Sequence, residues 1–355
     1  MKRFYRMLAS CLALLLGFGT AAIGQQQEQP DGERRAGTNA ASELLIPIGS
    51  RYTAMGGSSI ATVTGLEAIY WNPAGLARAE RGANAMFSHM RYIADVNVNY
   101  LAVSAAFSGL GTLGFSVKAL DIGAITVTTE DSPDGTGEII TPQFVTAGLT
   151  YSRVLTDRIA VGATVNIISE TIDRVGATGI ALTVGVQYND LVAINGLSLG
   201  VALKNIGPGI KYGGSGLLRQ ADPLDVERGS SPYQVVAGTD ELPSSLEIGL
   251  GYRISMGEKS NLNLTSLYQD NNFDDDATRI GAEYSFDNLL FVRGGYSYAF
   301  NAGDDPAGES RYIFGPAFGA GLHRELGGLD VSLDYAFRQV QFFDSSNVFT
   351  LKLGF

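Results

Sequence analysis

The sequence predicts an all-β fold: an antiparallel transmembrane β-barrel of about fourteen strands with a short N-terminal helical hatch in its lumen. Three observations carry this. From residue 83 to the end, apolar side chains recur at every second position, in runs that match the 9–11 residues a tilted strand needs to cross a bilayer. The links between runs alternate short with long and polar, as where turns face the periplasm and loops face outward. Ahead of the runs stand an export signal and a glycine-rich segment of different periodicity.

Residues 1–24 read as a cleaved signal peptide, with Lys2, Arg3 and Arg6 before an apolar run from Met7 to Phe18 and small residues before Gln25. The run is too short for a spanning helix. Cys11, the only cysteine, lies inside it, so thiol chemistry is excluded from the mature chain. Residues 25–42 are polar, lack aromatics and are expected to form a flexible tail. Residues 43–82 form the expected hatch and 83–355 the barrel.

The fourteen runs lie near 83–91, 97–107, 111–125, 141–153, 158–171, 178–189, 197–206, 243–254, 260–270, 277–286, 288–300, 311–323, 329–340 and 347–355. The first two alternate poorly. Pro316 interrupts the twelfth and marks a bulge or bend, since it cannot donate to a ladder. The even count brings the chain back to its starting side, which predicts both termini in the periplasm. The terminal aromatic, Phe355, matches the C-terminal signal of outer-membrane barrels, and closure follows because hydrocarbon tolerates no open sheet edge.

Alternation assigns the faces. Leu, Val, Ile, Phe and Tyr point to outer-membrane lipid, and Tyr188, Tyr252 and Tyr335 are candidate interface anchors. The inward positions carry Lys118, Lys204, Glu247, Arg253, Arg279, Glu283, Arg293, Asp330, Asp334, Arg338 and Lys352. Their mixed signs predict ion pairs inside a plugged lumen rather than a single-sign ion filter.

Composition excludes several functions. Removing the signal leaves 22 basic against 36 acidic residues, a net charge of −14, and no basic face for nucleic acid. The GLGTLG run at Gly109–Gly114 is a hairpin turn, because strand alternation resumes at once where a dinucleotide motif needs a helix. DNNFDDDAT, from Asp270, lacks the glycine and glutamate of a calcium loop and reads as an acidic surface loop. His89 and His323 lack a partner set for a metal or a triad, and Ser58 in MGGSS has no nearby base. No enzyme, metal or cofactor is expected.

The hatch segment is the specific feature. Pro73 suits a first helical position, Asn72 is a natural N-cap before it, and Trp71 is an apolar anchor ahead of the cap. Gly56 and Gly57 permit a tight turn or close backbone approach. The run Ile46, Pro47, Gly49, Arg51, Ala54, Met55, Gly56, Gly57, then Trp71, Asn72, Pro73, Ala74, Gly75 and Leu76 resembles the N-terminal signature of the PorV/PorQ family of outer-membrane proteins. The resemblance implies a barrel similar to the long-chain fatty-acid transporters, with the N-terminal segment folded into the lumen. It also implies a role in type IX secretion, binding the C-terminal domains of secreted cargo and other secretion-system subunits. The alternative expectation is a fatty-acid-transporter-like channel for hydrophobic small molecules. The 207–242 loop is the candidate partner surface.

Overall fold

The computed structural model describes residues 38–221, 230–300 and 312–355. The expected signal, and the tail as far as residue 37, lie outside these residues. The barrel strands are β1 (Ala83–Arg91), β2 (Asn97–Phe107), β3 (Gly111–Asp121), β4 (Gln143–Val154), β5 (Ile159–Ile172), β6 (Val175–Asn189) and β7 (Leu197–Ile206). They continue as β8 (Ser245–Ser255), β9 (Ser260–Asn271), β10 (Ala277–Phe286), β11 (Leu290–Ala299), β12 (Phe314–Leu326), β13 (Leu329–Val340) and β14 (Ser346–Gly354). Each pairs antiparallel with its neighbours in sequence, and β14 closes on β1 through pairs such as Leu353 with Ala85. No described helix is long and apolar enough to span a membrane.

The strands form because alternation meets two different solvents. In β3, Leu113 and Phe115 face outward and are exposed, while Gly114, Ser116 and Lys118 are buried in the lumen. The poor alternation of β1 and β2 has a physical cause: their inner faces are apolar too. Met86, Met90, Val98, Tyr100 and Ala102 are buried beneath the hatch.

Two expected boundaries move. The third run stops at Asp121, whose carboxylate accepts from the N–H of Gly123 (3.1 Å) in a turn, and Ile125–Thr126 pairs with Ile139–Ile140 in a separate ribbon. The twelfth run begins at Phe314, and its register shifts between Phe314 and Ala317, where Pro316 lacks an N–H.

The hatch is built of single turns: α1 (Ser50–Thr53), α2 (Ala68–Trp71) and 3₁₀ stretches at Ser42–Leu45 and Pro73–Arg78. It fills the lumen. The inner wall carries its imprint in glycine: a Cβ on Gly162, Gly185, Gly200, Gly295 or Gly319 would come within 2.0–2.6 Å of Pro73, Asn72, Ala61, Met55 or Ala54. Many of the 45 glycines serve this close approach rather than turns.

The contacts of residues 38–82 set the direction of threading. Ala40 N–H donates to the Glu241 carbonyl (3.0 Å) just before β8, at the long-loop end of the barrel. Phe355 pairs with Ala83 at the short-turn end. The described chain therefore begins and ends at opposite ends of the barrel, because residues 38–82 run down the lumen before β1 starts. Ala40 and Ala41, placed by sequence in the tail, are buried with Leu44 against Ile168, Ile210 and Leu242. Ile210 and Leu242 come from the 207–242 loop, so part of that loop folds into the mouth, while Leu218, Tyr233, Val235 and Val236 stay exposed.

Candidate functional site: the plugged lumen and its cavity

Each hatch residue singled out in sequence has a definite partner. Arg51 donates two parallel hydrogen bonds to Glu283 on β10, Nε at 2.8 Å and Nη2 at 2.7 Å. Trp71 Nε1 donates to the Ile48 carbonyl (3.1 Å), and the ring is buried with Tyr52, Met55 and Leu66. Asn72 Oδ1 accepts from Ala74 N–H (3.2 Å), capping a 3₁₀ stretch that opens with Pro73. Its Nδ2 also donates to the carbonyls of Ile60 (2.9 Å) and Val186 (3.1 Å), which ties the cap to the wall. Gly49 has a φ of 76°, and a Cβ there would lie 2.2 Å from a Glu67 carboxylate oxygen. Gly57 lies under Trp71, and a Cβ would meet its ring at 2.9 Å. Gly75 fits against the Val63 carbonyl, Gly56 against the backbone of Tyr296, and Met55 packs in the central core. Pro47 lines the cavity described below.

The inward charges form one extended chain. From Arg51 it passes to Glu283, then to Arg293 on β11 (2.7 Å), Asp334 on β13 (2.6 Å), Lys352 on β14 (3.0 Å) and back to the hatch at Glu67 (2.9 Å). Three cations alternate with three carboxylates, so the chain is neutral and stitches both halves of the hatch to four strands. Glu67 was not among the inward charges read from sequence. As the only acid between Glu43 and Glu80 in the hatch, it carried a signal.

The other predicted charges are placed differently. Asp330 pairs with Arg81 and lies 3.6 Å from His323 near the short-turn end. Arg253 is exposed at that end and donates to Asn263 (3.2 Å), outside the network. His89 bonds Asn99 across β1 and β2 (2.9 Å). Lys118 donates to the Glu43 and Ile46 carbonyls (2.6 and 3.3 Å), holding the hatch's first turn. Lys204 pairs with Glu247 (3.0 Å) and sits 5.0 Å and 5.4 Å from the ring centres of Tyr70 and Trp71.

Above the hatch, toward the long-loop end, lies a cavity of about 590 Å³, within the 300–1,000 Å³ of small-molecule sites. Tyr70 and Trp71 form part of its floor, Leu120, Ile122, Phe144 and Ile172 an apolar wall, and Arg279, Arg338 and Gln269 a polar one. Glu43 and Glu170 meet at its edge, where Tyr212 donates to Glu170. Burial, reinforced by the Glu170 carboxylate, pushes Glu43 up to about 8. Burial also raises Tyr70. Sequence reading missed this acidic corner because its members lie more than a hundred residues apart.

Together the fold and site define a hatch-plugged, closed antiparallel β-barrel of the outer-membrane type. No protein-family model matches the chain, and no curated protein is similar to it in sequence. Solved structures are similar in fold. The Pseudomonas putida toluene transporter TodX aligns at 16% identity and TM-score 0.53, over 86% of this chain and 97% of that one. The Ralstonia pickettii toluene transporter TbuX aligns at 14% identity and TM-score 0.53, over 87% and 98%. A Pseudomonas aeruginosa FadL homologue aligns at 11% identity and TM-score 0.51, also over 87% and 98%. At these identities the likeness is one of fold.

Proposed function

We propose that this protein is an outer-membrane channel of the FadL type, exported by its N-terminal signal, that admits small hydrophobic or amphipathic molecules to a cavity above a seated hatch. The observation that carries this reading is the cavity of about 590 Å³, bounded below by the hatch and on one side by apolar strand residues. A lumen filled only for stability has no need of such a space, since interiors otherwise pack closely. The neighbours named as toluene transporters are similar to it in fold. Uptake of radiolabelled hydrophobic compounds by cells with and without the gene tests it: the deletion should slow uptake and the plasmid-borne gene should restore it. Equal uptake in both strains would reject the channel.

A second reading, a PorV/PorQ-type component of type IX secretion, is favoured by the hatch signature between Ile46 and Leu76. The structure gives those residues plug-building contacts, Arg51 to Glu283 and Trp71 to Ile48. Any plugged barrel could use such contacts, so they support architecture more than partner choice. Co-purification with secreted cargo would support this reading, and its absence, with secretion unchanged on deletion, would remove it.

A further inference from the structure

Two guanidinium groups in the cavity have no ion-pair partner among the described residues. Arg279 Nε and Arg338 Nε and Nη2 are buried N–H groups with no hydrogen-bond acceptor among the described residues. Neither arginine forms an ion pair among those residues, although five other basic side chains facing the lumen or the hatch do: Arg51, Arg81, Lys204, Arg293 and Lys352. Lys204 and Arg338 both lie within electrostatic reach of Arg279; Glu247 pairs with Lys204, and Asp274 and Asp275 line the same cavity. The Lys204–Glu247 pair offsets one of the cluster's three positive charges and leaves the two guanidinium groups without an ion pair among the described residues. Buried donors left unmade are costly, and charged ones more so. Other buried charged groups also carry an unbonded atom, among them Glu43, Glu67, Arg78 and Glu247, but Glu67 and Glu247 are ion-paired to lysines, and the two arginines share one cavity wall, which makes a place for an acceptor supplied from outside.

The surroundings restrict what accompanies that acceptor. The Arg338 guanidinium stacks 3.9 Å from the ring centre of Phe314, with Tyr92 at 5.9 Å on the same group. Tyr70, Trp71 and Phe144 also line the space. Rings with a polarised face favour another flat ring beside them, and a planar guanidinium presents its N–H groups to a planar carboxylate. We propose that the cavity is a binding site for an aromatic organic anion, whose acidic group bridges Arg279 and Arg338 while its ring lies among the aromatic side chains. A neutral hydrocarbon of the same shape would cover the guanidinium N–H groups without satisfying them.

This inference rests on the channel reading above and narrows it. The purified full-length mature protein in lipid nanodiscs is titrated with 2-naphthoate, its neutral counterpart naphthalene, and dodecanoate. Equilibrium dialysis gives affinity, and fluorescence of Trp71, the only tryptophan, reports occupancy at the cavity floor. We expect 2-naphthoate to bind at least tenfold more tightly than naphthalene, and R279Q and R338Q each to weaken it about tenfold, the range for a lost charged hydrogen bond. Neither variant should weaken naphthalene binding, so that the preference for naphthoate narrows, and both should keep the gel mobility of the folded barrel; R279Q serves alone if R338Q fails to fold. Equal binding of naphthoate and naphthalene, unchanged by either substitution, would overturn the anion site while leaving the channel in place. Tighter, arginine-dependent binding of dodecanoate would overturn the aromatic assignment. Binding of none of the three would count against the channel reading as well.

Discussion

Asn72 shows how much one side chain can hold. Its oxygen caps the Pro73 stretch and its amide nitrogen serves two carbonyls, one of them on the wall at Val186. A lost cap alone costs about 1 kcal/mol; the Ile60 carbonyl keeps its bond from Gln187 Nε2 (3.1 Å), so the loss falls on the Val186 carbonyl, for about 1–3 kcal/mol more. Asn72→Ala should therefore destabilise the barrel by about 2–4 kcal/mol in urea unfolding from detergent. A loss near 1 kcal/mol would mean that water replaces the amide. Glu283 is the other critical residue, since it accepts from both Arg51 and Arg293. Removing one partner of a buried pair costs about 3–5 kcal/mol, and Glu283→Ala strands the Arg51 guanidinium and leaves Arg293 with Asp334 alone. Arg51→Ala leaves Glu283 still paired with Arg293. The ordering expected in the same unfolding assay is Glu283→Ala well below Arg51→Ala in stability; equal losses would show that Arg51 alone supports the carboxylate.

At the scale of elements, the strands were legible and the plug's course was not. Strand periodicity is local: residues such as Leu329, Val331 and Leu333 announce their lipid face from within ten residues of sequence. The β1 and β2 runs were dim for the same reason, because their inner faces meet an apolar hatch that lies elsewhere in the chain. Arg51 and Trp71 stood out as unusual residues, but their partners Glu283 and Ile48 are fixed by three-dimensional fit across the lumen. The direction of threading depends on where Ala40 meets Glu241, and no pattern in either stretch encodes that. The first turn of the hatch also carries a pH dependence. Glu43 faces Glu170 on β5, near Tyr212 of the long loop, and Lys118 on β3 binds its backbone carbonyl. Its pKa of about 8 in the fold lies above the unfolded value, so the native state holds the proton more tightly. That contribution is complete below the unfolded pKa and is lost as pH rises through about 8. Stability should fall between roughly pH 5 and 9, and Glu43→Gln should flatten the profile across that window. A profile unchanged by the substitution would place the titration elsewhere.

For the whole molecule the question is whether the plug moves. Its lower body is held by the six-charge chain, by wall glycines that admit no side chain, and by direct bonds such as Ser58 Oγ to Thr265 Oγ1 at 2.6 Å. Its upper arm, residues 38–46, has fewer anchors: the Ala40 bond to Glu241, the two Lys118 bonds and the Glu43 corner. Cooperative units open where such constraints are few, so passage of a ligand should require rearrangement of the arm and not of the body. The only cysteine, Cys11, lies outside the described residues, so a cysteine pair placed in the barrel gives a clean test. Replacing Ser58 and Thr265 by cysteine puts two sulfurs where hydroxyls already touch, and oxidation would lock the body to β9. With the lock formed, uptake and ligand occupancy should match the reduced protein within experimental error. Loss of uptake on oxidation, restored by reductant, would instead show that the body swings as a unit. In that case the ion chain from Arg51 to Glu67 must break and re-form in every cycle.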